Sequence, residues 1–195
     1  MSGDRETLAV YDCRADDYAQ RFANRDQQGL DAFIAALPRG ARVLDLGCGP
    51  GDAAARMQAA GLSVDALDGS EAMVALARDR GVSARLAFFS DPLEAGAYDG
   101  VWASFSLLHA PRRDMPAHLA AVHAALVPDG LFVVGLKTGT GEARDALGRR
   151  YTYYTEPEIS QLLLDAGFRV EARAYGEGVG LAGNLDPWMV VTVRA

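Results

Sequence analysis

The stretch VLDLGCGPGD, residues 43–52, constrains what this chain can fold into more than any other segment. Apolar residues that enclose one acid, Asp45, lead into a loop with glycine at every second position: Gly47, Gly49 and Gly51. A short apolar run bounded by glycines is typical of a buried strand, and glycine lets the backbone approach a ligand closely. The stretch therefore predicts a strand followed by a ligand-binding turn.

The rest of the chain alternates between helical and strand-like patterns. Helices of the core are predicted over 52–60, 70–80, 115–127 and 155–167, and strands over 42–47, 63–68, 84–89, 98–105, 131–137, 168–175 and 188–195. Strands that alternate with helices form βαβ units, which build a parallel sheet with helices on both faces. The last two strands have only a glycine-rich connection between them, so we expect them to be antiparallel neighbours at one edge.

The length of the chain indicates one domain. At 195 residues it can bury one sizeable core, but it is short for two. Residues 17–37 carry apolar side chains at roughly helical spacing, and a proline and a glycine follow, so one or two helices are predicted to end there. We therefore expect a single domain over 1–195, with an N-terminal helical cap over 1–40 and a doubly wound α/β core over 41–195.

Composition and charge argue against several classes of partner. The formal net charge of −7 argues against nucleic acid, because an acidic chain without a basic stripe repels phosphate backbones. No apolar stretch reaches the length of a membrane span, and the charged start is unlike a signal peptide. Cys13 and Cys48 lack zinc-site spacing, so no metal is expected and both are predicted to be free thiols of a cytoplasmic protein. The oligomeric state stays open.

The glycine spacing helps to choose among cofactors. A dinucleotide site uses G-x-G-x-x-G, whereas this loop reads G-x-G-x-G, and Pro50 removes one backbone donor. Asp45 and Asp52 flank the loop and would repel a pyrophosphate. The same carboxylates suit a cofactor with a positively charged amine or sulfonium, so the loop argues against a nicotinamide dinucleotide.

Two more acids follow later strands, where ligands of open α/β sheets bind. Asp68 lies 19 residues beyond Gly49, at the tip of the second predicted strand, and its carboxylate can accept both hydroxyl hydrogens of a ribose. Asp91 follows the third predicted strand and can accept from an exocyclic amine such as that of adenine. The alternative for each is a solvated aspartate that caps a turn or a helix.

These residues lie in segments that resemble the class I S-adenosylmethionine-dependent methyltransferases. VLDLGCGPG matches the first motif of that family closely, and ALDGSEAMVALAR, YDGVWASFSLLHAP and LVPDGLFVVGLK resemble later motifs in order and spacing. The resemblance covers about residues 42–167. It implies a Rossmann-like fold with a seven-stranded sheet whose last strand runs antiparallel, S-adenosylmethionine as methyl donor and S-adenosylhomocysteine as product.

The resemblance also implies which residues meet each part of the cofactor. Asp45 and the backbone from Gly47 to Gly51 would hold its amino-acid end, and Asp68 would hold the ribose. The remaining implied contacts are Gly69 and Met73 beside the adenosine, Ser90 and Asp91 at the adenine edge, Ser104 near the methionine moiety, and Tyr11 and Tyr18 in an aromatic lid segment. Tyrosine rings suit a sulfonium because a cation is attracted to a π face; the alternative is that both tyrosines pack the cap helix.

The function expected from this resemblance is methyl transfer to a small-molecule acceptor. The leaving group of a sulfonium is already activated, so the protein mainly supplies proximity and orientation. A general base is needed only if the acceptor loses a proton. His109 is the one candidate base, and the alternative is a histidine that supports the loop before Pro111. A protein that binds the cofactor without catalysis, as a sensor or inactive partner, is the second hypothesis.

The stretch after the fifth predicted strand is the most unusual part of the sequence. It mixes the cations Lys137, Arg144, Arg149 and Arg150 with aromatic residues. One interpretation is a mobile substrate lid that attracts an anionic acceptor group. The other is a hairpin or flexible loop with solvated charges. The sequence leaves both open, and it does not name the methylated atom.

Overall fold

A computed structural model of the chain describes residues 3–23 and 26–195. The predicted N-terminal helical segment, 17–37, includes residues 24 and 25, which lie outside the described residues. Within 3–23 and 26–195, no helix is long and apolar enough to cross a membrane.

The main sheet has seven strands: β1 (Arg42–Leu46), β2 (Ser63–Asp68), β3 (Ala84–Leu86), β4 (Tyr98–Ser104), β5 (Leu126–Lys137), β8 (Arg169–Val179) and β9 (Leu185–Arg194). Their order across the sheet is β3-β2-β1-β4-β5-β9-β8. The pairs formed among β1 to β5 are parallel. β9 is antiparallel to both of its neighbours, β5 and β8, which confirms the predicted antiparallel last strand.

Helices cover both faces of this sheet, as a doubly wound fold requires. They are α1 (Arg5–Cys13), α2 (Ala15–Phe22), α3 (Leu30–Ala35), α4 (Asp52–Ala59), α5 (Glu71–Asp79), α6 (Met115–Ala125) and α7 (Glu156–Asp165). Apolar residues of α3, α4 and α5 share one buried cluster with the sheet. Those of α6 and α7 share a second cluster. The strand tips where the two windings diverge therefore form the predicted ligand edge.

Several boundaries differ from the predicted ones. The chain is helical from Arg5, because the Asp4 side chain caps the first turn by accepting from the Thr7 amide. β3 ends at Leu86, earlier than predicted. β5 begins at Leu126, before the turn that was expected to precede it, because Leu126 already pairs with Tyr98 across the sheet.

The last hairpin is longer than its glycine-rich sequence predicts. β8 and β9 continue pairing until Val179 meets Leu185. A Cβ atom on Gly176 would lie 2.3 Å from the Trp188 ring, so this glycine leaves room for the indole of the opposite strand. The glycines therefore allow close packing across a hairpin, and they do not mark a loose loop here.

The unusual stretch after β5 forms a small hairpin of its own. Its strands, β6 (Glu142–Arg144) and β7 (Arg150–Thr152), make a separate antiparallel pair. Thr138 also bridges to Tyr154. This hairpin therefore starts directly from the carboxyl end of β5, beside the expected ligand edge.

Candidate functional site

The three loop glycines that follow β1 differ in what lies around them. All have positive φ angles, 81° for Gly47, 52° for Gly49 and 85° for Gly51, which glycine adopts without strain. A Cβ on Gly47 would lie 2.3 Å from Ser106 Cβ, and one on Gly51 would lie 3.0 Å from Ala77 Cβ. No described atom lies within 4 Å of a Cβ on Gly49. Two glycines therefore permit packing, whereas the third leaves space in front of the loop.

Most of the predicted cofactor residues line one space, the main cleft. The predicted residues that line it are Tyr11, Tyr18, Gly47, Gly49, Asp68, Gly69, Met73, Ser104 and His109. Leu8 of α1 and Phe88, after β3, add apolar walls. A planar base and a sugar fit this combination of apolar walls with the carboxylate of Asp68.

Asp68 is fixed at the tip of β2 by backbone donors. Its Oδ2 accepts from the Gly49 amide at 2.8 Å, and its Oδ1 accepts from the Ser70 amide at 2.9 Å. Burial raises the pKa of this carboxyl above its usual value, and the backbone donors oppose that effect. Each oxygen keeps a further lone pair, so the group can still accept from two hydroxyls.

Asp45 lies in a neighbouring space, the acid cleft, which it lines with Gly47, Gly49, Asp52 and Ser104. Its side chain is buried, and its Oδ2 has no hydrogen-bond partner within the described residues. Burial raises the pKa of Asp45 to about 8, and the charges of Asp68 and Asp52 add to this effect. A buried acceptor without a partner is unfavourable, so this oxygen indicates a missing donor.

Gln27 is a site residue that the sequence analysis missed. It lines the acid cleft, and its Oε1 is a second buried acceptor with no hydrogen-bond partner in the part of the chain that the structure describes. Its position just before α3 carries no motif, and its polar side chain fits the exposed positions of a helical pattern. Only the fold brings it to the same cleft as Asp45.

Three predicted residues, Gly51, Ser90 and Asp91, line neither the main cleft nor the acid cleft. Ser90 is exposed, and the Asp91 carboxylate accepts from the Phe88 amide at 3.0 Å. The residues that line the cleft after β3 are Ala87, Phe88 and Phe89. The assignment of Ser90 and Asp91 to the adenine edge therefore stays a prediction.

The cap carries its two tyrosines over the main cleft. Ser70 Oγ donates to an Asp12 oxygen at 2.6 Å, which holds α1 against the start of α5. The rings of Tyr11 and Tyr18 meet edge to face with centroids 5.8 Å apart. Both rings line the cleft, so packing within the cap and contact with a ligand are compatible.

Both ring nitrogens of His109 have partners. Nδ1 lies 2.6 Å from the Arg150 carbonyl oxygen, and Nε2 lies 2.8 Å from the Tyr11 hydroxyl. A carbonyl can only accept, so Nδ1 carries the hydrogen and Nε2 accepts from Tyr11. Burial lowers the pKa of His109 to about 4, which keeps the imidazole neutral at pH 7.

The small hairpin brings a buried ion pair to the back of this site. Arg149 donates to Asp145 Oδ2 through Nε at 3.0 Å and Nη2 at 2.6 Å, and both side chains are almost fully buried. Arg149 Nη1 also donates to the Tyr11 hydroxyl at 3.0 Å. The segment is a hairpin, but the expectation of solvated charges is wrong for Arg149, because Asp145 four residues earlier neutralises it in the interior.

A third space, the aromatic cavity, adjoins the two clefts. Its lining includes Tyr18, Phe105, Tyr151, Trp188 and Lys137. Tyr18 and Phe105 line the main and acid clefts as well, so the three spaces meet at these two rings. Phe105 has a φ of 55°, a strained conformation for a bulky residue that persists where the surrounding structure requires it.

Comparison with known proteins agrees with this geometry. The family described as "Methyltransferase domain" matches residues 43–130. The 1,6-didemethyltoxoflavin-N1-methyltransferase of Burkholderia thailandensis, whose structure holds 1,6-didemethyltoxoflavin and S-adenosylhomocysteine, is 26% identical with a TM-score of 0.70. The match covers 100% of this chain and 91% of that one. These matches support a class I S-adenosylmethionine-dependent methyltransferase.

Two further matches show how far the likeness extends. The malonyl-[acyl-carrier protein] O-methyltransferase of Enterobacter lignolyticus (strain SCF1) is 35% identical over an alignment of 111 residues that covers 53% of this chain. The match spans 43% of that relative, less than half of its length. A putative methyltransferase in complex with the Haloferax volcanii Trm112 methyltransferase activator shares the fold, with 18% identity and a TM-score of 0.76 over 97% of this chain and 96% of that one.

S-adenosylmethionine, the cofactor that these matches support, fits the residues present. Its methionine end carries an ammonium group, and the acid cleft offers the unpartnered oxygens of Asp45 and Gln27. An ammonium has three hydrogens to donate. A pyrophosphate would instead place negative charge beside Asp45, Asp52 and Asp68.

Proposed function

We propose that this protein transfers a methyl group from S-adenosylmethionine to a small-molecule acceptor bound in the aromatic cavity. The observation that carries the proposal is the buried Asp45 Oδ2, which has no partner within the described residues and lines a cleft with Gln27 and the glycine loop. A cationic amine is the group that this oxygen lacks. The adjoining main cleft has room for the adenosine.

Each part of the site then has a task. When bound, the cofactor supplies an activated methyl group on a sulfonium, whose departure leaves a neutral thioether. Asp45 holds the ammonium, and Asp68 accepts from the ribose hydroxyls. Tyr18 and Phe105, which line all three spaces, surround the point where donor and acceptor meet. Their rings exclude water and orient the acceptor for in-line attack on the methyl carbon.

Two observations support a small acceptor. The aromatic cavity is walled mainly by rings with a few polar groups such as Lys137, which is the usual lining of a small-molecule site. The Burkholderia thailandensis relative, which matches over the whole chain, holds the small compound 1,6-didemethyltoxoflavin in its structure. The cation Lys137 in the cavity supports an acceptor with an anionic group.

His109 acts as a positioning residue in this proposal, with no role as the base. Its Nε2 already accepts from Tyr11, and its lowered pKa makes it a weak proton acceptor. It holds the Tyr11 hydroxyl between itself and Arg149. We also place the protein in the cytoplasm, where its two free thiols, Cys13 and Cys48, stay reduced.

Calorimetry with S-adenosylhomocysteine tests the cofactor half of the proposal. We expect micromolar binding, about −8 kcal/mol, and no heat with NADH. Binding of NADH without binding of S-adenosylhomocysteine would contradict the cofactor assignment. Incubation with methyl-labelled S-adenosylmethionine and a metabolite panel tests the transfer. Tight binding without a labelled product from any acceptor would favour the non-catalytic binder.

A further inference from the structure

Lys137 stands apart from every other cation in this chain. It is the single lysine, and the other eighteen cationic side chains are arginines. In the part of the chain that the structure describes, the ion pairs of the outer surface all use arginine. An ammonium is a compact charge that donates in three directions, whereas a guanidinium is a planar fork. The position of the one lysine is therefore informative.

Lys137 lies at the carboxyl end of β5, in the wall of the aromatic cavity. Its Nζ is 2.6 Å from Asp186 Oδ2 and 3.6 Å from the centroid of the Tyr151 ring. Its side chain is 13% exposed, so the charge is largely removed from bulk water. Among the described residues, Asp186 is the one carboxylate within ion-pair distance. The ammonium has three hydrogens, and Asp186 needs one of them.

The walls of the cavity suit a flat ligand. Tyr18, Phe105, Tyr151 and Trp188 contribute rings, and Phe105 meets Trp188 edge to face at 6.2 Å between centroids. Aromatic ligands pack against such rings in offset or edge-to-face arrangements. Arg149, a second cation in this lining, is neutralised by Asp145. Lys137 is therefore the cation in this cavity with hydrogens available for a ligand.

We propose that the aromatic cavity binds a planar aromatic acceptor with an oxyanion group, a carboxylate or a phenolate, and that Lys137 recognises this group. This inference rests on the proposed function, because it names the acceptor class of the same site. The sulfonium of the methyl donor, near Tyr18 and Phe105, adds attraction for a negatively charged acceptor. That attraction is stronger in a cavity with little water than in solution.

Asp186 serves as an internal competitor in this proposal. Its carboxylate occupies the position on Nζ that the oxyanion of a ligand would also favour. Replacing Asp186 by Asn removes the competing charge and keeps the shape of the side chain. The Asp186→Asn variant should therefore bind oxyanions several-fold more tightly than the wild-type protein, whereas a purely structural ion pair would give no gain.

The single lysine allows a direct test by NMR. Protein labelled with ¹³C,¹⁵N-lysine gives one lysine side-chain signal, which can be followed in the complex with S-adenosylhomocysteine. We expect saturable shifts of this signal with 2-naphthoate or 4-nitrophenolate, and none with the neutral analogues 2-naphthamide and 4-nitroanisole. A response to naphthoate alone identifies a carboxylate site, and a response to nitrophenolate alone identifies a phenolate site. No response to either, or equal binding of naphthamide and naphthoate, overturns the proposal.

Variants give the second half of the test. Lys137→Met should weaken binding of the active probe at least about 10-fold, since a hydrogen bond to a charged group is lost. Affinity for S-adenosylhomocysteine should not change. The double variant Lys137→Met/Asp186→Asn leaves no unpaired charge and guards against a folding defect. Unchanged probe binding in both variants overturns the role of Lys137.

Failure of the two proposals can be told apart on the same samples. If S-adenosylhomocysteine does not bind, the proposed function fails before any probe is added. If it binds and neither oxyanion probe does, the cofactor assignment stands and the acceptor class is wrong.

Discussion

The two ends of this site differ in whether their buried polar groups have hydrogen-bond or ion-pair partners. At the acid cleft, Asp45 and Gln27 present buried acceptors that no described residue satisfies. At the back of the site, Arg149 is fully engaged by Asp145 and Tyr11. Unsatisfied groups are tolerated where a ligand will satisfy them, whereas a paired buried charge is part of the folded structure. Substitutions at the first end should therefore reduce binding, and substitutions at the second should reduce stability.

The largest effect is expected at the paired end. Arg149→Ala leaves the Asp145 carboxylate buried without a partner and should lower the free energy of unfolding by about 3–5 kcal/mol. Urea unfolding measures this loss. Arg150→Ala is the matched control. Its ion pairs with Asp4 and Glu142 are longer and partly exposed, so about 1 kcal/mol or less is expected. Equal losses in the two variants would contradict the contrast.

Asp68→Ala should have the largest effect on binding. It removes the proposed acceptor for two ribose hydroxyls, and hydrogen bonds to a charged group contribute about 1.5–3 kcal/mol each. A loss of about 100-fold or more in affinity for S-adenosylhomocysteine is expected by calorimetry. Asp91→Ala is the comparison, because the Asp91 carboxylate accepts from the Phe88 amide. A similar loss there would show that Asp91 reaches the adenine after all.

Ionisation of Asp45 should make the affinity for the cofactor depend on pH. Its pKa of about 8 means that the carboxyl is largely protonated at pH 6.5 in the ligand-free protein. An ammonium favours the carboxylate, so binding should release a proton and affinity should rise from about pH 6 to pH 8, by up to tenfold per pH unit. Titrations in buffers of different ionisation enthalpy measure the released proton. Asp45→Asn should abolish this release and lower affinity about 10-fold at pH 8.

The same two ends should give opposite pH dependences of stability. The folded state holds a proton on Asp45 that the unfolded chain loses near pH 4, so this contribution to stability is lost as pH rises from about 4 to about 8. His109, with its lowered pKa, contributes stability that is lost as pH falls from about 6.5 to about 4. Asp45→Asn should flatten the first slope only, and His109→Gln the second only. Urea unfolding across this pH range checks both.

The sequence predicts the fold well because its pattern is local and repeated. Period-two and helical patterns each report which face of an element is buried, and their alternation leaves few topologies. The exceptions have tertiary causes. Gly176 looks like a loop residue in the sequence, but in the fold the Trp188 ring of the opposite strand packs against it. Leu126 belongs to a strand because it pairs with Tyr98 across the sheet.

The candidate site likewise contains residues that the sequence indicates and residues that only the fold reveals. Asp45, Asp68 and the glycines could be proposed from the sequence because they lie near the carboxyl end of a strand or directly after it, where open α/β sheets bind ligands. Gln27 and Asp145 could not, since their roles depend on which distant segments meet. Asp145 has no local signal as the partner of a buried arginine, and Gln27 reaches the acid cleft only through the position of the cap.

The smallest predicted effect concerns the outer contact between cap and small hairpin. Arg144 donates to both oxygens of Asp4 at 2.8 Å, and its side chain is 35% exposed. The Arg144 guanidinium holds the pKa of Asp4 well below its usual range. Water and salt still screen such a pair, so Arg144→Ala should cost at most about 1 kcal/mol of unfolding free energy. The loss should vanish in 1 M salt.

The Arg144–Asp4 pair also allows the attachment of α1 at the surface to be compared with its attachment in the interior. Arg144 and Arg149 both join the hairpin to α1, one through Asp4 at the surface and one through Tyr11 inside. If salt weakens the attachment of α1 only at the surface, the cap stays in place through Tyr11, His109 and Arg149. Hydrogen exchange of the α1 amides in high salt measures this directly. Fast exchange in wild-type protein at 1 M salt would instead show that the outer ion pair holds the cap.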